Sequence, residues 1–156
     1  MKTAALLLVA LSAVAAAAPA LAQDIGAPAT YREIELDSGF SGDPRVIPVR
    51  AGGTIDASRL GSPCTGFIAR APDVRLTYDA GSLPLIISVA AASDTTLVVN
   101  APDGRWYCDD DSGDAPLNPM VRFNEPDSGR YEIWIGTFSD TGSQPARLHI
   151  SELTSQ

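Results

Sequence analysis

The stretch Arg130-Tyr131-Glu132-Ile133-Trp134-Ile135-Gly136-Thr137 decides the fold. Its side chains alternate with the period of two that a β-strand requires, so Tyr131, Ile133 and Ile135 share one face and Arg130, Glu132 and Trp134 the other. The first set is expected to face a core. Upstream, Pro126-Asp127-Ser128-Gly129 is turn chemistry, and Pro102-Asp103-Gly104 repeats it: proline presets φ and glycine accepts a positive one. Leu85-Ile86-Ile87-Ser88-Val89 is apolar almost throughout and reads as a central strand covered on both faces.

Working outward from Tyr31, Gly, Pro, Asp and Ser punctuate the chain every several residues, and β-branched or aromatic runs lie between them. The expected strands are 31–36, 46–50, 54–56, 66–69, 74–78, 85–91, 96–100, 105–108, 120–123, 130–137 and 146–153. No helical apolar period occurs after the first 22 residues. The expected architecture is an all-β antiparallel sandwich, jelly-roll-like, over residues 31–156.

The N-terminus differs in kind. Lys2 precedes the Ala- and Leu-rich run Ala4 to Leu11, Pro19 follows, and Ala20-Leu21-Ala22 puts small residues where signal peptidase needs them. Residues 1–22 are therefore expected to be a cleaved secretory signal, and 23–30 a loose polar lead-in. The localisation expected is secreted or periplasmic. Cleavage removes the only lysine, which leaves ten arginines against nineteen acids, a net charge of −9. Such a surface repels phosphate backbones and anionic bilayers, which argues against nucleic-acid or membrane partners. Cys64 and Cys108, the only cysteines, would meet an oxidising compartment and are expected to be disulfide-bonded.

Several runs together support a comparison: Leu85 to Val89, Asp94-Thr95-Thr96-Leu97-Val98-Val99, Ala101-Pro102-Asp103-Gly104, Cys108-Asp109-Asp110-Asp111, Asn118-Pro119 and Ser128 to Gly136. This pattern resembles the bacterial pre-peptidase C-terminal domain family over about residues 84–153. The resemblance implies a jelly-roll sandwich exported beside hydrolases, an accessory module without catalysis of its own. An enzyme domain ahead of the module, the family's usual context, is not expected here, and the upstream half falls outside the motif.

Three constellations could carry chemistry. Asp109-Asp110-Asp111 is followed by Asp114 and Asn118, with Asp94 and Asp103 on the neighbouring hairpin; adjacent carboxylates repel, and calcium would relieve them. The spacing is not that of an EF-hand, and a solvated acidic loop is the competing reading. Trp106 and Trp134 are the candidate ligand-binding residues, and an outward Trp beside Tyr107 or Phe138 could form a flat platform for a sugar ring or a protein partner, unless the N-terminal half of the chain covers Trp134, the reading the two sheets of a sandwich favour. His149 is the only histidine and no Gly-x-Ser-x-Gly elbow exists, so a Ser-His-Asp triad is not expected; a carboxylate pair remains open.

The function expected is an exported, non-catalytic binding or accessory module with a protein or glycan ligand and calcium as the candidate cofactor. The alternatives are a secreted hydrolase using Asp or Glu, and a structural envelope protein that assembles with itself.

Overall fold

The computed structural model describes residues 23–139 and 141–156. The proposed signal lies outside these residues. Eleven strands are present: β1 (Arg32–Asp37), β2 (Arg45–Ala51), β3 (Ile55–Asp56), β4 (Phe67–Ile68), β5 (Val74–Asp79), β6 (Leu85–Ala91), β7 (Thr95–Asn100), β8 (Trp106–Asp109), β9 (Met120–Phe123), β10 (Gly129–Thr137) and β11 (Gln144–Ser151). Each matches an expected strand within one or two residues.

Two sheets pack face to face. Sheet A has β10 at its centre, flanked by β5 and then β1 on one side and by β7 and then β8 on the other, with β4 and β3 continuing from the end of β10. Sheet B runs β2-β11-β6-β9. All pairings are antiparallel except β1 with β5, which is parallel, so sheet A is mixed. Tyr131, Ile133 and Ile135 join Leu76, Leu97, Ile87, Leu148 and Ile150 in the core between the sheets. β6 is buried from Leu85 to Val89, as its unbroken apolar run requires.

A second, smaller core lies on the outward side of sheet A. The segment β3, a 3-10 turn at Ala57–Leu60 and β4 folds over that face, burying Ile55, Ala57 and Ile68 against Val98 and Trp134. Gly136 permits the close approach: a Cβ there would stand 2.5 Å from Thr96 Cγ2 and 2.7 Å from the Phe67 carbonyl oxygen. Cys64 and Cys108 are bonded, with Cα atoms 4.9 Å apart, and tie this flap to β8.

Two expectations are corrected. The lead-in at 23–30 is pinned rather than loose: Asp24 N donates to Arg70 O, Thr30 N to Pro72 O, and Arg75 Nη2 to the carbonyls of Ile25 and Ala27. Half-buried Arg75, held by Glu132 and Glu33, has donors left over that the lead-in carbonyls satisfy. The final strand, expected to run to residue 153, ends at Ser151, where Ser151 Oγ accepts from the amides of Leu153 and Thr154 and turns the tail; Asp114 N then donates to Gln156 O.

Candidate functional site

The acidic residues divide into separate environments. Asp103 sits in the β7–β8 turn, where its carboxylate accepts from Arg105 N at 2.9 Å and Tyr107 Oη at 2.8 Å. The Arg105 amide foremost, then Tyr107, holds its carboxyl below the ordinary range. Asp109 lies at the other end of the same hairpin, opposite Leu97. Its Oδ2 accepts from Ser112 N at 2.9 Å and Met120 N at 2.8 Å, which closes the β8–β9 loop. Asn118 is buried and uses Oδ1 to accept from Ala91 N. Asp114 is anchored to the tail through its backbone amide.

Asp94, Asp110 and Asp111 feel one another's charge. Desolvation first, and repulsion by Asp111 and then by Asp110, raise the Asp94 carboxyl. Desolvation followed by Asp111 and Asp109 raises Asp110. Among the described residues no group of three or more His, Cys, Asp or Glu is arranged to hold a metal ion. A folded-state pKa above the unfolded value means that stability falls as pH rises through it. Asp94→Asn is therefore expected to raise Tm at pH 7 and to leave it unchanged at pH 3. The same melts with millimolar calcium report on a bound cation: a rise in wild type that Asp94→Asn abolishes would identify one.

The tryptophan platform is closed. Trp134 is 0% exposed, covered by Ile55, Ala57 and Ile68 of the flap and by the disulfide. Trp106 is half-buried and packs against it with ring centroids 5.4 Å apart. Trp134 is thus a core residue and cannot contact a ligand directly, because the flap that needs an apolar floor takes its outward face.

His149 pairs in register with Ser88 on the outward face of sheet B, and both are buried. Neither ring nitrogen nor Ser88 Oγ has a hydrogen-bond partner. Burial, then the Arg147 charge, pushes the imidazole pKa down, which favours the neutral ring. Asp43, which meets the same strand, accepts from Ser151 Oγ and Glu152 N.

The feature that residue-by-residue reading missed is charge segregation between the two outward faces. Sheet A's outward positions carry Glu33, Glu35 and Asp37 on β1, Asp79 on β5 and Glu132 on β10, offset by Arg75 and Arg130. Sheet B's outward positions on β2, β11, β6 and β9 carry Arg50, Arg147 and Arg122 and no acid. Arg70, Arg75, Arg105 and Arg130 form ion pairs, all at sheet A or its loops. Arg45, Arg50, Arg122 and Arg147 on sheet B have no ion-pair partner among the described residues, nor do Arg32 of β1, which faces the β2 edge, and Arg59 of the flap. Exposed Val46 and Pro48 interleave with these arginines. The signal was present as Arg at alternate positions, but it becomes legible only once strands 45–51, 144–151 and 120–123 are assigned to one sheet.

No family model matches the chain, and no curated protein matches it. Among solved structures, it is similar to the crystal structure of Aeromonas hydrophila PliG, a periplasmic lysozyme inhibitor of g-type lysozyme. The identity is 13%, the match covers 77% of this chain and 96% of that one, and the TM-score is 0.38. No helix among the described residues is long and apolar enough to cross a membrane.

Proposed function

We propose that this protein is an exported, non-catalytic binding module that recognises a protein partner through the outward face of sheet B. The observation that carries the reading is the outward face of sheet B, whose strands bear Arg50, Arg122 and Arg147 and no acid, on a chain whose formal net charge is −8. Arginines without a carboxylate partner, Arg50 held to Ser143 and Arg122 to Asn124, interleaved with apolar residues are the composition of recognition surfaces, because a guanidinium gives up its hydration more readily than an ammonium and offers five fixed donors. The acidic remainder of the surface repels the same acidic partner, which restricts docking to one side. The resemblance to the pre-peptidase C-terminal family, which implies an accessory role, supports the same class of function.

The test compares capture from the exported fraction of the source cell by two charge variants. Arg50→Glu with Arg122→Glu and Arg147→Glu is expected to lose the captured species at least about tenfold, and high salt to weaken wild-type capture. Asp79→Lys with Asp127→Lys, the same change of charge at exposed positions on the sheet A side, should leave it intact. Equal losses in both variants would overturn the assignment of the face. Turnover of a glycan or peptide panel would instead favour a hydrolase, and concentration-dependent mass growth of the pure protein a self-assembling envelope protein.

A further inference from the structure

We infer that the cleft between the two edge strands β1 and β2 seats a carboxylate of an extended, acidic polypeptide segment, held by Arg32 and Arg45. This inference rests on the proposed recognition of an acidic protein partner and names the place where the partner's chain is gripped.

β1 ends sheet A and β2 ends sheet B, so the sandwich is open along this seam. A cleft of about 480 Å³ lies there, with Ile34, Ile47 and Pro44 among its lining residues and Arg32 and Arg45 contributing the charge. Its size suits one or two side chains of a segment laid along the seam, not a folded domain. Tyr31, 40% exposed, and Val46, 45% exposed, also line it, and both are large apolar groups left in water. Tyrosine and arginine together at a pocket are the residue types that anchor protein interfaces.

The two cations are available. Arg32 has no ion pair among the described residues, and neither does Arg45. Arg45 Nε is buried without a hydrogen-bond partner. Its guanidinium lies over Gly42, where an added Cβ would sit 3.4 Å from Nη1. The neighbouring Asp43 would be the obvious counter-ion, but its carboxylate is engaged by Ser151 Oγ and Glu152 N. Arg45 is thereby left partly desolvated beside an apolar floor with no anion of its own, which is the situation a partner carboxylate would relieve.

The seam also says how the segment lies. Pro48 has no N–H to donate, so continuous strand addition along β2 is blocked at its middle. Side chains rather than a backbone ladder must give the affinity. Glu33, Glu35 and Asp37 of β1 repel an acidic segment from the sheet A side and direct it across Pro48. There the cleft adjoins a shallow hollow lined by Pro48, Ala90, Pro145 and Arg147, which places a third unpaired arginine on the same path.

The test uses the mature full chain and a synthetic acetylated pentapeptide, Asp-Val-Glu-Leu-Asp amide, with its Asn/Gln counterpart and glutarate as controls, followed by backbone amide NMR. The acidic peptide is expected to shift the amides of Arg32, Arg45, Val46 and Ile47, and the neutral one to bind at least about tenfold more weakly. Arg32→Gln and Arg45→Gln should each weaken binding about fivefold or more, with Tm unchanged, and Arg45→Lys should recover part of the loss. No shift in the cleft at millimolar peptide, or equal shifts with the neutral peptide, would overturn the inference. Glutarate binding as tightly as the peptide would also overturn it, by showing a small-anion site. Shifts confined to Ala90, Arg122 and Arg147 would sink the cleft while leaving the sheet-face reading standing; loss of cellular capture by the sheet B variant with the cleft still shifted by peptide would support both.

Discussion

Replacing Cys64 and Cys108 together by alanine is expected to lower stability by about 4 kcal/mol, the loop-entropy value for a closure of this length. For a domain of this size that corresponds to a fall in Tm of roughly 10–15 °C. The bond spans 44 residues, which include β4 to β7, and so removes many conformations from the unfolded chain. Its position adds a local effect. Both half-cystines belong to the small core under the flap, where Cys64 packs with Ile68 and Trp134 and Cys108 lies beside Trp106. The flap strands are two residues each and, among the described residues, pair with the rest of sheet A through β4 at Thr137–Phe67. With so few ladder contacts, the disulfide and the apolar floor hold it down. Loss of the bond should therefore wet Trp134 before the main core opens, because the core between the sheets has no part in the flap. Since Trp106 and Trp134 are the only tryptophans, a red shift of emission that precedes the calorimetric transition is the specific readout. A Tm within about 3 °C of wild type, with unchanged emission, would refute the account.

The sequence and the structure agree where a single local rule decides the outcome. Period-two alternation located Tyr131, Ile133 and Ile135 in the core, the Pro-Asp-Gly turn joined β7 to β8, and the compartment argument paired the cysteines. What was not legible depends on which distant strands become neighbours. Nothing local in Arg32–Asp37 reveals that it pairs in parallel with Val74–Asp79. The outward placement of Trp134 was readable from alternation, and its burial under the N-terminal half of the chain was the favoured reading; that residues 55–68 are the part that folds back as the cover was not legible. The acidic run looked like one constellation because its members are close in sequence. In space Asp103 and Asp109 occupy opposite ends of a hairpin and serve its turn and its closing loop separately. The arginine face suffered the reverse fate, since Arg50, Arg122 and Arg147 are far apart in the chain and meet only through the β2-β11-β6-β9 order.

Asp73 should make this protein more stable in mild acid than at neutral pH. The residue is 2% exposed and lies where β10 leaves β5 and continues towards β4. Its backbone amide donates to Ile133 O at 2.8 Å, and its Oδ2 accepts from Ile135 N at 2.7 Å, completing the ladder where β5 has no further residue to offer. Desolvation raises the carboxyl from 3.8 to about 7, and the Ile135 hydrogen bond only partly opposes it. Between these values the folded chain keeps a proton that the unfolded chain has lost. Stability from this group is thus complete below pH 4, declines as pH rises to 7, and is flat beyond. A shift of this size corresponds to about 4 kcal/mol. Asp73→Asn preserves an oxygen for Ile135 N and cannot ionise, so it should match wild type near pH 4 and exceed it at pH 8. Asp73→Ala strands the buried amide and should cost about 1–3 kcal/mol even in acid. Urea melts of the three proteins across pH 4 to 8 separate the charge from the hydrogen bond. Parallel pH slopes for wild type and Asp73→Asn would show that Asp73 ionises freely and that its carboxylate is paid for elsewhere in the fold.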